Sequence, residues 1–321
     1  MILWALAVAV AAASLLFLLF RHGASYARLA ERTWPAHGRF VESHGVRLHV
    51  LEAGPMNAPR VLLIHGASAN LRELWRPLAE PLRDDHRVIA FDRPGYGHSG
   101  RPRRGAESLA LQAAMAADVL AATGDGPAIV VGHSLGAAVA LRLALDSPHL
   151  VEGLVLIAPA SHPYPGQNVW WARLAATPLA GHLFAHAVVP WAGPLAAQRG
   201  IAVNFHPASA PHGYYEDAGV GLAFRPRAFR ASACDVIATK REFATQAPLY
   251  PEIMAPAIII TAEKDKVVSP KRHARGLARD LPASELVIAP DAGHMPHRLR
   301  TDLVLAAIRR VASMVEAPAG G

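Results

Sequence analysis

The most constraining feature of the chain is a serine set between two glycines at the end of an apolar run. Gly132-His133-Ser134-Leu135-Gly136 follows Ala128 to Val131 and precedes the helix-like stretch Ala137 to Asp146. Strand, G-x-S-x-G and helix in that order make a nucleophile elbow. So sharp a turn strains the serine backbone, and it closes only where the residues two before and two after carry almost no side chain. Gly132 and Gly136 meet that demand. Held there, the Ser134 hydroxyl stands clear of the sheet, and the Leu135 N–H at the helix start points toward a developing oxyanion.

Such a serine needs a general base and a carboxylate, in the chain order serine, acid, histidine. Ala257 to Ala262 reads as a buried parallel strand, and just past it lies Glu263-Lys264-Asp265-Lys266. Asp265 is the expected acid, with Glu263 its rival two residues away. Ser284 to Ala289 reads as another strand and runs into Asp291-Ala292-Gly293-His294, where the glycine gives the loop freedom to turn a ring inward. His294 is the expected base. The chain carries seventeen histidines, and His297, three residues on, is the nearest competitor. In this arrangement the histidine takes the serine proton, and the acid fixes its tautomer and stabilises the imidazolium.

The second oxyanion donor is expected on the loop after the strand Val61 to Ile64, where His65-Gly66-Ala67-Ser68 brings backbone close to substrate. The Ala67 N–H is assigned that role, with Leu135 as its partner. The next strand, Arg87 to Phe91, ends in Asp92-Arg93-Pro94-Gly95-Tyr96-Gly97-His98-Ser99-Gly100. With H-G-A-S, D-R-P-G-Y-G-H-S-G, G-H-S-L-G, Asp265 and D-A-G-H, the chain resembles the α/β-hydrolase fold superfamily from Arg39 to Val315. The resemblance implies an α/β fold: a mostly parallel eight-stranded sheet, helices on both faces and an inserted helical cap. It also favours Asp265 over Glu263 and makes His65 a structural histidine beside the oxyanion loop. Asp92 and Arg93 are expected to brace their own loop, and His133 to be a packed neighbour.

The chain divides into an N-terminal transmembrane anchor and linker 1–38, followed by the parts the resemblance implies: a first core part 39–158, a cap 159–250 and a second core part 251–321. The cap region is rich in proline, which is expected to break its helices into short pieces. Trp170, Trp171, Trp191, Tyr214, Tyr215 and Phe224 are candidates to line an apolar pocket over Ser134. A substrate with a hydrophobic acyl or alkyl group follows.

Composition supports one large catalytic domain, since 52% hydrophobic residues in 321 can fill a core without a disulfide, and the single Cys234 cannot form one internally. No Cys/His cluster has zinc spacing, and neither G-x-G-x-x-G after a strand nor a P-loop is present, so no metal or cofactor is implied. The formal charge of +7 is spread along the chain with short clusters at Arg101, Arg103, Arg104 and at Arg225, Arg227, Arg230. Without a nucleic-acid module these read as solvated faces or attraction to anionic lipid.

Lipid enters through the N-terminus. From Ile2 to Phe20 only Ser14 interrupts an apolar stretch that as a helix is about 28 Å long, nearly a bilayer core. No Lys or Arg precedes it, which favours an anchor over a cleaved signal peptide. Arg21, Arg28, Arg32 and Arg39 follow, so the catalytic domain is expected on the cytoplasmic side. The expected protein is thus a single-pass, membrane-anchored serine hydrolase cleaving a lipophilic ester, in contact with membrane lipid through its first helix. The same three residues would serve on an amide, a thioester or a carbon–carbon bond beside a carbonyl. Outside catalysis, the alternative is a binding or accessory member of the fold at the membrane.

Overall fold

The computed structural model describes residues 1–165 and 169–316. The terminal run Ala317 to Gly321, of low complexity in sequence, lies outside them.

The chain begins with one helix, α1 (Ile2–Thr33), followed by an antiparallel hairpin, β1 (Arg39–Ser43) and β2 (Val46–Ala53). Alternation then sets in: β3 (Arg60–Ile64), α2 (Arg72–Leu82), β4 (Arg87–Phe91), α3 (Leu109–Ala122), β5 (Ala128–His133), α4 (Leu135–Asp146) and β6 (Val151–Ile157). A helical insertion follows, made of α5 (Trp170–Ala176), α6 (Leu179–Ala187), α7 (Val189–Phe205), α8 (Tyr214–Asp217), a 3₁₀ turn at Val220–Phe224 and α9 (Pro226–Gln246). The core resumes with β7 (Ala257–Thr261), α10 (Ala274–Asp280), β8 (Ser284–Ile288), α11 (Pro296–Leu299) and α12 (Thr301–Glu316).

The eight strands form one sheet in the order β1-β2-β4-β3-β5-β6-β7-β8, antiparallel only at β1–β2 and β2–β4. Strands β3, β5 and β7 are buried along their whole length. That is why they read as unbroken Val, Ile and Leu runs rather than alternating ones. On one face α3, α4 and α10 pack over Leu62, Val130 and Ile259; on the other α2 and α12 pack over Leu63, Val131 and Ile260. The expected strands at Ala257 and Ser284 each end one residue early. Ala262 and Ala289 are fully buried, so the apolar signal outlasts the strand.

The expected short pieces make up only part of the insertion: α5, α6 and α8 run 7, 9 and 4 residues. Helix α7 runs 17 residues through Pro194 and α9 runs 21. Pro226 and Pro190 sit in the first turn, where the missing N–H has no partner to lose. The arginine clusters are solvated faces only in part: Arg103, Arg104 and Arg227 are exposed, but Arg101 and Arg225 are engaged by Asp235 and Glu31, and Arg230 by the Ala175 and Thr177 carbonyls.

Helix α1 has two unlike halves. Its residues 2–18 are exposed, and mean hydropathy reaches 2.6 over an 18-residue window. From Leu19 onward it packs on the insertion. Phe20 stacks on His186 (4.7 Å), His22 on Trp191 (3.9 Å), and the Tyr26 hydroxyl donates to the Gly221 carbonyl (3.0 Å). Past its end the Trp34 indole donates to the Glu216 carbonyl at 2.7 Å.

Candidate active site

Ser134 sits between β5 and α4 at φ 53°, ψ −119°, in the half of backbone space that L side chains rarely adopt. Its N–H donates to the Ile157 carbonyl at 2.9 Å, which fixes the turn to β6. The flanking glycines are required by contact. A Cβ on Gly132 would stand 2.6 Å from the Ala137 Cα, and one on Gly136 would strike the Ile64 carbonyl. Leu135 opens α4, so its N–H has no carbonyl one turn earlier to bond.

His294 and Ser134 face the same cavity. The His294 Nδ1–H donates to Asp265 Oδ2 at 2.7 Å, and both side chains are buried. The other Asp265 oxygen accepts the Val267 and Val268 N–H groups at 2.7 and 3.0 Å, so the carboxylate is held on both sides. That bonding leaves Nε2 of His294 as the acceptor nitrogen. Glu263, by contrast, is exposed and pairs with Arg275. The His294 backbone is clamped as well: its N–H donates to the Asn204 carbonyl (2.8 Å), and the His294 carbonyl accepts the His133 Nε2–H (3.0 Å). Gly293 (φ 56°) makes this approach possible, since a Cβ there would stand 2.9 Å from the Asn204 oxygen.

His297 is committed elsewhere. Fully buried, it donates through Nε2–H to Glu73 Oε1 at 3.0 Å, and its ring lies 4.4 Å from that of His133. Glu73 also accepts from Arg298 (2.9 Å) and from the Tyr214 hydroxyl (2.6 Å). Burial opposes charge on Glu73, but the bonds from His297 and Arg298 outweigh it and hold the carboxyl well below its usual range. Burial keeps His297 and His133 neutral, and in each the second ring nitrogen is buried without a partner. These residues tie α2 of the core to α8 of the insertion.

The loop bearing Ala67 is braced from three directions. The His65 Nδ1–H donates to the Gly66 carbonyl (2.8 Å) and its Nε2 accepts the Arg93 N–H (3.0 Å). Burial, helped by the Arg93 charge, lowers the His65 pKa to about 3. The fully buried Arg93 guanidinium also donates to the Gly66 carbonyl, at 3.2 Å. From α9, Ser232 accepts the Ser68 N–H (3.0 Å), and Asp235 receives Arg93 (3.2 Å), Arg101 (2.8 Å) and Tyr96 (2.9 Å). Ser232 and Asp235 carry no sequence signal of their own. They sit mid-helix in the insertion, and only the fold brings them to this loop. Asp92 accepts from the backbone N–H groups of Leu71 and His98, each at 2.8 Å, and pairs with His49 at 2.7 Å. His98 and Ser99, unassignable in sequence, bond the Trp34 and Asp92 carbonyls.

The shared cavity has a volume of about 630 Å³ and includes Ala67, Ser134 and His294. Its apolar wall is built from Trp170, Trp171, Phe184, Phe224 and Phe229, with Tyr214 at the Glu73 side. Two expected members are absent from it. Trp191 points to the outer face and stacks on His22, and Tyr215 packs edge-on against Trp34. Both were read from aromatic content alone, which cannot tell the two faces of a helix apart.

A family model described as alpha/beta hydrolase fold matches residues 59–300. The chain is 30% identical to 2-(acetamidomethylene)succinate hydrolase of Mesorhizobium japonicum over 272 residues, covering 84% of this chain and 93% of that one. It is 40% identical to lipase LipV of Mycobacterium tuberculosis over 115 residues, which are 36% of this chain and 42% of LipV. Two curated relatives, LipV among them, are matched over only 32% and 42% of their length. Among solved structures, a membrane phospholipase A described as a bacterial virulence factor superposes with a TM-score of 0.66 at 24% identity, over 98% of this chain and 97% of that one.

Proposed function

The chain belongs to the alpha/beta hydrolase family, and from that premise we propose that it is a membrane-anchored serine hydrolase cleaving a carboxylic ester with a hydrophobic acyl or alkyl group. One observation carries the reading: Ser134, strained on its turn, shares a cavity with His294, whose Nδ1 is bonded to the buried Asp265.

In the first step Ser134 Oγ attacks the ester carbonyl carbon while His294 Nε2 takes its proton. The new oxyanion is held by the N–H groups of Ala67 and Leu135, fixed beforehand by the loop braces and by α4. Asp265 stabilises the imidazolium, which then protonates the departing alkoxide. A water molecule repeats the sequence on the acyl-enzyme, releasing the acid and restoring the serine. The names of the relatives, a lipase and hydrolases, support a hydrolytic reaction.

The anchor rests on the exposed apolar half of α1, about 26 Å of helix that water would not cover favourably. A single continuous helix supports an anchor over a cleaved signal. Cleavage near Ser25 would sever α1 between contacts on both sides, Phe20 and His22 before the cut and Tyr26 after it. Lipid contact through α1 and a cytoplasmic catalytic domain belong to the same proposal. Hydrolysis of a short ester by purified full-length protein tests the chemistry. Ser134→Ala should reduce it to the residue left by binding and the oxyanion hole, about 10³ to 10⁴ over water; wild-type turnover in that variant would overturn the reading.

A further inference from the structure

The cavity beside Ser134 does not end at the nucleophile. Along α7 its wall includes Val189, Ala192, Ala196, Gly200 and Asn204, a row that repeats once per turn over the length of the helix. Asn204, at one end, holds the His294 backbone. Val188 and Val189, at the other, lie next to α6, the helix on which α1 packs. From Val188 to Asn204 the rise is about 24 Å, on the order of the length of an extended hydrocarbon of 18 carbons. Ala192, Ala196 and Gly200 remain exposed, so this is a groove open along its side and not a closed tunnel.

The row is small on purpose of space: a Cβ added at Gly200 meets no heavy atom within 4 Å. Trp171, Phe224 and Phe229 line the same cavity, and Phe224 packs onto α7 itself, where a Cβ on Gly193 would strike its ring. Around it the chain carries no Asp or Glu between Glu152 and Glu216, and Arg173 and Arg199 are its only full charges there. Trp170, Leu179, Val188, Trp191 and Leu195 are exposed on these same helices, and Trp191 stacks on His22 just after the apolar span of α1.

We propose that this groove binds the acyl chain of a long-chain ester, laid lengthwise along α7 with its carboxyl end at Ser134 and its tail toward the α1 side. The proposal rests on the serine hydrolase reading and names the substrate class: a membrane lipid ester whose tail slides in sideways. Burial of a methylene is worth at most about fourfold in affinity, so a blocked turn, about four carbons, has a large effect.

The test uses detergent-solubilised full-length protein and 4-nitrophenyl esters of four, eight, twelve and sixteen carbons. Leucine at Gly200, Ala196 or Ala192 fills the groove at successive turns, raising helix propensity at Gly200 and lowering it only slightly at the two alanines. Gly200→Leu should lower kcat/KM for all chains of eight carbons or more, relative to the four-carbon ester, by at least about tenfold. Ala196→Leu should begin at twelve carbons and Ala192→Leu at sixteen. Gln198→Leu, exposed on α7 but away from the cavity, should leave the profile as in wild type. Butyrate esters of long alcohols should show no such ladder. Three variants with wild-type profiles, a uniform loss at every length, or a ladder in the alcohol series instead would each overturn the assignment. Wild-type protein inert on every ester would instead sink the hydrolase reading beneath it.

Discussion

Asp235 offers the sharpest test of how the insertion is joined to the loop bearing Ala67. It is 1% exposed and receives Arg93, Arg101, Tyr96 and Gln112. Asp235→Ala leaves Arg93, itself fully buried, with only Gln112 and the Gly66 carbonyl. Breaking a buried ion pair by removing one partner costs about 3–5 kcal/mol. At roughly 2–4 °C per kcal/mol for a domain of this size, Tm should fall by about 6–20 °C. Asp235→Asn keeps the shape and some acceptor capacity and should cost less, about 1–3 kcal/mol. Thermal unfolding of the solubilised chain by circular dichroism reads both. Arg93→Ala and Asp235→Ala combined should be less destabilising than their sum by at least about 1 kcal/mol, because the two share one interaction. Because Arg93 also holds Gly66, Asp235→Ala should lower kcat more than it raises KM, measured well below Tm. A Tm within a degree of wild type, or strictly additive variants, would refute the reasoning.

Three other outcomes are expected. His294→Ala and Asp265→Asn should each lower kcat by orders of magnitude, while Glu263→Gln, which only loosens an exposed pair with Arg275, should leave both kcat and Tm nearly unchanged; steady-state kinetics on a short ester decides. Burial keeps His273 neutral in the fold, with its pKa lowered from 6.5 to about 4. The unfolded chain therefore takes up a proton first as pH falls, and this group's contribution is constant above about pH 6.5 and is lost toward pH 4, by up to about 1.4 kcal/mol per unit. The slope of Tm between pH 7 and 5 should accordingly be flatter in His273→Asn than in wild type, and an unchanged slope would contradict the assignment. Finally, removing residues 1–18 should release the protein from carbonate-washed membranes with its fold intact, whereas removing thirty also strips Phe20, His22 and Tyr26 from the insertion and should lower Tm; membrane pelleting of the shorter truncation would count against the anchor.

What the sequence makes legible is whatever depends on local pattern. Buried parallel strands are continuous apolar runs, and loops carrying Ser134, Asp265 and His294 follow those runs directly, so order and spacing point to them. Gly132 and Gly136 announce a turn that no side chain permits. Contacts made by topology leave no such trace. Asp235 is 142 residues from Arg93, and Glu73 is 224 from His297. Nor does composition assign faces: Trp170 and Trp191 look alike in sequence, yet one lines the cavity and the other stacks on α1. The second half of α1 escaped for a related reason. Its Arg and His residues read as a linker after an apolar span, and only the insertion opposite reveals that Phe20, His22 and Tyr26 form a packed helical face there.

The most direct measurement of the central claim is covalent labelling of the solubilised full-length protein with a fluorophosphonate, followed by mass spectrometry of its peptides. Attack by Ser134 Oγ on phosphorus expels fluoride and leaves a stable phosphonate ester. One adduct is expected, on the peptide containing Ser134, absent in Ser134→Ala and strongly slowed in His294→Ala. A wild-type protein that stays unlabelled while folded, or an adduct that persists in Ser134→Ala, would contradict that claim.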